Sequence, residues 1–166
     1  VGSDDVIAMS FLTFFNSDKP VLFPDITYSF YKVWADLYRI PYETPALDGD
    51  FNIIPEDYEK ENGGIIFPNP NAPTGILERT EMIEEIVAGN PGSIVIIDEA
   101  YVDFGGESCR KLIDKYENLL VVQTFSKSRA MAGLRIGFAM GGEKLIRYLK
   151  DVKFSFNSYT MNMLSV

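Results

Sequence analysis

Two stretches of this sequence place ionisable side chains directly after apolar runs. Asp98 ends the run "SIVIID", and Lys127 follows the run "NLLVVQTFS". A carboxylate in that setting loses hydration, so it needs a positively charged neighbour to stay ionised. A lysine in that setting is suited to act as an amine nucleophile. The two residues are therefore the first candidates for a catalytic centre.

Each residue also has a simpler interpretation. Asp98 alone is most simply a strand-end aspartate that accepts backbone N–H bonds, and "VIIDE" also fits the acidic Mg²⁺ ligand of a nucleotide hydrolase. That hydrolase would need a G-x-x-x-x-G-K-[ST] phosphate loop, which the sequence lacks. Lys127 alone is most simply a solvated surface charge.

The residues around Lys127 favour a phosphate site. Thr124, Ser126, Arg129 and Arg135 supply hydroxyl and guanidinium groups close to it, in a protein whose formal net charge is -9. A nucleophilic lysine, a phosphate pocket and a buried carboxylate together describe a pyridoxal phosphate site. In such a site the carboxylate pairs with the protonated pyridine nitrogen and keeps the ring an electron sink.

Composition limits the other classes of protein. The 166 residues are enough for one domain with a substantial core, and 46% of them are hydrophobic. The net charge of -9 disfavours nucleic acid, the absence of histidine excludes histidine-based triads and the usual zinc sites, and the single Cys109 permits no internal disulfide. No run suits a membrane span or a signal segment. We expect no metal, no nucleic-acid or membrane partner, and a cytoplasmic location.

Helical and strand patterns alternate along the chain. Helices are predicted over "DDVIAMSFLTFF", capped by Ser3, over "SFYKVWADLYR", over "ERTEMIEEIVAG", which ends at Gly89, and over "EKLIRYLKD". The apolar residues of the second helix lie on or near one face: Phe30, Val33, Trp34, Leu37 and Tyr38. Strands are predicted in "KPVLFP", in "GGIIFPNPNAPTG", where the strand runs into a turn, and in "RIGFAMGG". The runs "GSIVIIDEA" and "NLLVVQTFS" predict strands covered on both faces.

This alternation predicts an α/β fold of three layers, with a mostly parallel sheet between helices. Ligands of such folds bind at the edge where the carboxyl ends of the strands meet. Asn69 and Asn71, then Asp98, then residues 124–127 follow three successive strands. We expect these polar groups to share one rim.

Three segments, in this order and spacing, resemble the large domain of fold-type I pyridoxal phosphate enzymes, which have the aspartate aminotransferase-like fold: "NPNAPTG", "VIIDEAYVDF" and "TFSKSRAMAGLRIGFA". Within fold type I they are most similar to the histidinol-phosphate aminotransferase family. "GSDD" resembles the end of that family's glycine-rich phosphate loop, and "PDITYSFY" resembles its segment with the aromatic residue that stacks on the cofactor. The resemblance covers essentially the whole chain.

The resemblance implies a role for each matching position. Lys127 would hold the cofactor as a Schiff base and carry protons during the reaction, Asp98 would bind the pyridine nitrogen, and Tyr101 the phenolic oxygen. Tyr28 would stack on the ring, although without the surrounding motif it would be an ordinary core aromatic. The phosphate would be held by backbone amides at the start of the first helix and by side chains near Lys127: Gly2, Ser3, Asp4, Thr124, Ser126 and Arg135.

One position departs from the family pattern. The residue before "PTG" is commonly an asparagine that binds the phenolic oxygen, and here it is Ala72. Asn71 is the candidate substitute, with a simple turn residue as the alternative. Family members extend beyond both ends of this chain. Residues 1–166 are therefore expected to form part of a pyridoxal phosphate-binding large domain, without the N-terminal segment and the C-terminal small domain.

The resemblance also implies an enzyme of histidine biosynthesis. It would catalyse reversible amino transfer between L-histidinol phosphate and 2-oxoglutarate, giving imidazole acetol phosphate and L-glutamate, and it would act as a homodimer on small amino and keto substrates. Two alternatives use the same scaffold: a pyridoxal phosphate-dependent decarboxylase of a phosphorylated amino acid, and a module that binds the cofactor without turnover. A further alternative is that this chain by itself is a folded but inactive fragment.

Overall fold

A six-stranded sheet forms the centre of the protein in a computed structural model that describes residues 1–153. The strands are β1 Val21–Leu22, β2 Tyr42–Glu43, β3 Gly64–Pro68, β4 Val95–Asp98, β5 Leu119–Thr124 and β6 Gly137–Gly141. They are ordered β2-β1-β3-β4-β5-β6, and all neighbours are parallel except β5 and β6. The predicted mostly parallel sheet is confirmed. The end of the predicted domain, residues 154–166, lies outside the described residues.

Among residues 1–153, four α-helices cover this sheet: α1 Gly2–Phe14, α2 Phe30–Tyr38, α3 Thr80–Gly89 and α4 Glu143–Val152. Each was predicted within a few residues, but the prediction that Ser3 caps α1 is wrong. The cap position is Val1, no side chain caps the helix, and Ser3 lies inside the first turn. In the part of the chain that the structure describes, no helix is both long and apolar enough to cross a membrane.

Alternate strand residues face opposite layers of helices. In β4, Val95 and Ile97 belong to the hydrophobic cluster that contains the buried face of α3. Ile96, between them, belongs to the cluster that contains buried residues of α1, α2 and α4. Because both faces are covered, the strands carry continuous apolar runs rather than alternating polar residues. The predicted three-layer α/β architecture is confirmed.

Helix α2 does not bury its main apolar stripe. Phe30, Val33 and Leu37 are 44%, 46% and 62% exposed, whereas Tyr31 and Ala35 are fully buried against the sheet. A helix has room for only one buried face against its layer, and the two fully buried residues lie on the side away from Val33 and Leu37. The apolar periodicity therefore identified the helix but not its buried side.

The antiparallel strand β6 begins at the rim where β5 ends. Thr124, the last residue of β5, pairs with Gly137, the first residue of β6. Gly2 bridges Ile136, and its amide donates a hydrogen bond to the carbonyl oxygen of Arg135 at 2.9 Å. The start of α1 is thus attached directly beside the segment that leads into β6.

Gly137 provides the close approach that this attachment requires. A Cβ atom at Gly137 would lie 2.3 Å from the carbonyl carbon of Gly2 and 2.3 Å from the amide nitrogen of Ser3. Both neighbours are backbone atoms that cannot rotate away. We expect Gly137→Ala to lower the free energy of unfolding by about 1–3 kcal/mol, as overpacked substitutions do.

Urea denaturation of the two proteins measures this difference. Gly92→Ala is the matched control, because a Cβ there would meet nothing within 4 Å. Equal midpoints for Gly137→Ala and Gly92→Ala would contradict the proposed role of the glycine.

Candidate active site

A cavity of about 140 Å³ lies at the rim where β3, β4 and β5 end. Pro68, Asp98 and Thr124, the last residues of these three strands, line it. The remaining lining residues come from the segments that follow the strands, from the residues before α2 and from the start of α1: Ser3, Asp4, Tyr28, Ala72, Ala100, Tyr101, Ser126, Lys127 and Arg135. The shared rim expected from the sequence is therefore present, and most of the predicted site residues meet there.

Asp98 brings a buried carboxylate to this cavity. It is only 4% exposed, and its Oδ2 accepts a hydrogen bond from the Tyr31 hydroxyl at 2.9 Å while its Oδ1 accepts one from the Ala100 amide at 3.2 Å. Burial raises the pKa of Asp98 to about 6, and the hydrogen bond from Tyr31 partly opposes this rise. No lysine or arginine among residues 1–153 forms an ion pair with it. The carboxylate is therefore suited to a cationic group of a ligand.

Lys127 and Tyr101 lie together at the same cavity. The Lys127 ammonium nitrogen is 5.0 Å from the centre of the Tyr101 ring, a distance at which a cation and an aromatic face attract each other. Lys127 is exposed, while Tyr101 is half-buried. The amine can consequently be reached from the cavity, and the aromatic ring limits where it points.

An anion site is formed by hydroxyl groups, a guanidinium and a helix start. The Thr124 hydroxyl oxygen lies 3.1 Å from that of Ser126. Arg135 donates to the carbonyl oxygens of Ala132 at 3.2 Å and Val1 at 3.4 Å, which hold its guanidinium beside the start of α1. A helix start favours phosphate because its free N–H groups donate hydrogen bonds to the anion. Arginine favours phosphate because its positively charged guanidinium donates charge-assisted hydrogen bonds.

The amides at this helix start have different roles. Ser3 and Asp4 line the cavity, and amides of a first helical turn have no acceptor inside the helix. Gly2 does not line it, and its amide donates to the Arg135 carbonyl oxygen instead, so the structure does not bring this predicted phosphate-binding amide to the cavity. The residue has φ of +77°, and a Cβ there would lie 2.9 Å from an Arg135 guanidinium nitrogen. Glycine is needed here for the backbone rather than for the ligand.

Tyr28 is held at the cavity by its hydroxyl and its ring. The hydroxyl donates to Asp4 Oδ1 at 2.8 Å, and the ring meets that of Tyr31 edge to face at 5.6 Å between centres. Burial and the hydrogen bond to Asp4 raise the pKa of Tyr28 above its ordinary value, so the phenol stays neutral. The ring is thereby held at the cavity, where it is suited to lie against a planar ligand.

Asn71 is not brought to the cavity. Its side-chain nitrogen donates to the Ile26 carbonyl at 2.9 Å and to Thr74 Oγ1 at 3.0 Å, and its side-chain oxygen accepts from the Thr27 hydroxyl at 3.2 Å. These three hydrogen bonds occupy the side-chain amide of Asn71 and hold the turn against the segment before α2. Asn71, the predicted substitute for the usual asparagine at position 72, therefore does not reach the cavity, whereas Ala72 itself lines it.

A family comparison identifies the chain. The sequence profile of the family described as "Aminotransferase class I and II" matches residues 1–165. The chain belongs to this aminotransferase family. The donor set agrees with the match, because a carboxylate, an accessible lysine and an anion site in one cavity fit pyridoxal phosphate.

Curated relatives of this aminotransferase chain cover nearly all of it. The histidinol-phosphate aminotransferase 1 of Hydrogenovibrio crunogenus is 60% identical over 164 residues, which are 99% of this chain and 46% of that protein. The histidinol-phosphate aminotransferase of Lactococcus lactis subsp. cremoris is 56% identical over 164 residues, with the same two coverages. The chain thus spans less than half the length of these relatives.

Solved structures agree with the fold of this aminotransferase chain. The histidinol-phosphate aminotransferase from Clostridium acetobutylicum superposes with a TM-score of 0.83 at 24% identity, covering 97% of this chain and 49% of that one. Cystalysin from Treponema denticola, a structure with a pyridoxal 5'-phosphate cofactor, superposes with a TM-score of 0.84 at 12% identity, covering 97% and 46%. The aspartate aminotransferase-like fold expected from the sequence is confirmed.

Tyr31 is a site residue of this aminotransferase that the sequence analysis did not identify. It is fully buried, yet its hydroxyl is a hydrogen-bond donor to Asp98. The available signal was its position, because it follows Tyr28 by three residues and lies in the first turn of α2. The predicted apolar stripe of α2 does not include Tyr31, because three residues of that stripe, Phe30, Val33 and Leu37, lie on the exposed side of the helix.

We expect Tyr31→Phe to raise the pKa of Asp98 further above about 6. A hydrogen bond to a charged group contributes about 1.5–3 kcal/mol, so the rise is expected to be one to two pH units. The folded protein already binds this proton more tightly than the unfolded chain, whose aspartate pKa is 3.8. The free energy of unfolding therefore falls as the pH rises from about 4 to about 6, and the substitution extends this fall to higher pH.

NMR titration of the Asp98 carboxyl carbon in the ligand-free protein, with urea unfolding at several pH values, measures both effects. Tyr38→Phe is the control, because Tyr38 is on the same helix but stacks on Trp34. An Asp98 titration that does not move in Tyr31→Phe would show that the hydrogen bond has no electrostatic role.

Proposed function

We propose that the intact protein is a pyridoxal phosphate-dependent aminotransferase that interconverts L-histidinol phosphate and 2-oxoglutarate with imidazole acetol phosphate and L-glutamate. The observation that carries the proposal is the cavity itself. It joins a buried carboxylate that lacks a cationic partner among residues 1–153 to an accessible lysine and an anion site. The names of relatives that are 52–60% identical support the choice of substrate.

Each cofactor contact follows from a group at the cavity. Asp98 would pair with the pyridine nitrogen, Tyr101 would donate to the phenolic oxygen, and the Tyr28 ring would lie against the cofactor ring. Once bound, pyridoxal phosphate supplies an electron sink for the charge that develops on the substrate carbon. The phosphate would be bound by the amides of the first helical turn and by the polar side chains at the rim: Ser3, Asp4, Thr124, Ser126 and Arg135.

Asp98 and Lys127 would be the residues of this chain that take part directly in the reaction. A protonated ring nitrogen beside Asp98 provides the positive charge that the buried carboxylate needs, which lowers its pKa and keeps it ionised. Lys127 would anchor the cofactor through Nζ. After the substrate amine has taken its place, the same nitrogen would accept the proton from the substrate α-carbon as a general base.

The organisation of the intact protein is also a proposal. Residues 1–166 would be part of the cofactor-binding large domain, and the remainder of a protein as long as its relatives would supply the small domain. We propose a cytoplasmic homodimer without nucleic-acid or membrane partners. The net charge of -9 supports the absence of nucleic acid, because like charges repel.

Borohydride trapping tests the assignment of Lys127. The intact protein is mixed with pyridoxal phosphate, reduced with borohydride, digested and analysed by peptide mass mapping. We expect a single pyridoxyl adduct on Lys127 that is lost in Lys127→Ala and retained in Lys144→Ala, an exposed lysine of α4. Scattered adducts, or an adduct that persists in Lys127→Ala, would overturn the assignment.

Product analysis tests the reaction. The intact protein, L-histidinol phosphate and 2-oxoglutarate should give L-glutamate at a rate that falls by about 10²–10³-fold in Asp98→Asn, because the ring nitrogen loses its charged partner. Release of carbon dioxide from a phosphorylated amino acid, without glutamate, would instead identify a decarboxylase. Binding of the cofactor without either product would identify a binding module.

A further inference from the structure

Lys127 sits in a tight loop at the end of β5, here called the lysine loop and comprising residues 125–131. The loop closes on itself through a hydrogen bond from the Met131 amide to the Phe125 carbonyl oxygen at 2.9 Å and another from the Ala130 amide to that of Lys127 at 2.9 Å. Ala130 has φ of +51°, in the left-handed region that residues with a side chain rarely adopt. Such a conformation persists only when surrounding contacts hold it.

Arg129 provides the main side-chain anchor of the lysine loop. Its Nη2 donates to Gln123 Oε1 at 3.1 Å, and its Nε lies 3.4 Å from Asp103 Oδ2. The guanidinium carbon lies 4.9 Å from the Phe125 ring centre and 5.6 Å from that of Phe138. Two polar partners and two aromatic rings around the guanidinium hold this side chain in place.

Gln123 links Arg129 to a buried carboxylate in the protein interior. It is 7% exposed, and its Nε2 donates to Glu99 Oε2 at 2.8 Å. Glu99 is 2% exposed and also accepts from the Ser108 hydroxyl at 2.6 Å and the Cys109 amide at 2.7 Å. A carboxylate on one side and a guanidinium on the other leave the Gln123 amide only one orientation that satisfies both. Glu99, Gln123 and Arg129 thus form a continuous hydrogen-bonded relay.

Each member of the relay is close in sequence to a residue of the cavity. Glu99 follows Asp98, Gln123 precedes Thr124, and Arg129 lies two residues after Lys127. None of the three lines the cavity itself. The relay therefore connects the ends of β4 and β5 to the lysine loop and lies outside the cavity. From there it can set the position of the cavity residues without contacting a ligand.

We propose that the Glu99–Gln123–Arg129 relay is a positioning device for Lys127. This inference rests on the proposed function, in which the Lys127 nitrogen bonds to the aldehyde carbon of pyridoxal phosphate and the aldehyde oxygen leaves as water. Arg129 acts through the backbone of the lysine loop, which it holds so that this nitrogen reaches the aldehyde carbon. Arg129 is accordingly a positioning residue, and the anion site functions without it.

Two measurements separate positioning from general stability. The rate of covalent labelling of Lys127 by pyridoxal phosphate, trapped with borohydride and mapped by mass spectrometry, depends on the position of the amine. The dissociation constant of pyridoxamine phosphate does not, because this compound has a phosphate and a ring but no aldehyde. Both are measured on the intact protein prepared free of cofactor.

The test variant is Arg129→Met, which keeps much of the side chain's packing against Phe125 and Phe138 but removes its hydrogen bonds. We expect the labelling rate of Lys127 to fall roughly tenfold to a hundredfold, the range that a misplaced reactive group produces. The dissociation constant of pyridoxamine phosphate should stay within about twofold, since the phosphate donors are intact. Arg147→Met is the matched control, because Arg147 also lies over a ring, that of Tyr148, but on α4. Neither quantity should change in it.

Arg129→Lys and Gln123→Leu provide independent checks. The lysine variant keeps the charge but cannot reproduce the planar fork, so its labelling rate should lie between those of the unmodified protein and Arg129→Met. Gln123→Leu removes the link and should slow labelling in the same way. An unchanged labelling rate in Arg129→Met, or an equal loss of labelling and of pyridoxamine phosphate binding, would overturn the inference. Failure of the unmodified protein to label at Lys127 would overturn the proposed function and this inference with it.

Discussion

A carboxylate at the end of β4, that of Asp98, is almost completely buried, and its neighbours among residues 1–153 supply hydrogen bonds but no ion pair. Burying an ionised group without a counter-charge is unfavourable, which is why its pKa lies at about 6. The covered sheet creates this situation, because both faces of β4 are packed under helices and only the strand end opens to the cavity. The remaining features of the site place hydrogen-bond donors and an amine around the Asp98 carboxylate.

The sheet topology explains how residues far apart in the sequence reach the same rim. Three parallel strands end side by side, which brings together Pro68, Asp98 and Thr124. The antiparallel β6 then begins at this rim instead of the opposite one, so Arg135 arrives beside the end of β5. Helix α1 is attached to that segment, and its first turn adds N–H groups. Strand direction thus determines which residues reach the site. The parallel strands bring their last residues there, and the antiparallel strand brings the residues that precede its start.

Much of this arrangement could be predicted from the sequence, and the failures have identifiable physical causes. Continuous apolar runs identified the buried strands, and the polar residues after them identified the rim, because both signals are local. The role of Asn71 could not be predicted, since its amide is taken by partners such as Ile26, distant in sequence. The same is true of the Gly2 amide, which is used by Arg135, and of the buried side of α2, which is set by tertiary packing.

Two parts of the cavity are closed by hydrogen bonds between residues with very different separations along the chain. The Thr124 hydroxyl and the Ile136 carbonyl oxygen that it reaches are 12 positions apart, whereas the bond from Arg135 to the Val1 carbonyl oxygen joins residues 134 positions apart. Ordering a short loop loses less chain entropy than ordering a long one. The lysine side of the cavity is therefore a local structure, while the helix start that completes the anion site is held by contacts between residues far apart in the sequence. Fraying of α1 would open the anion site while leaving the lysine loop in place.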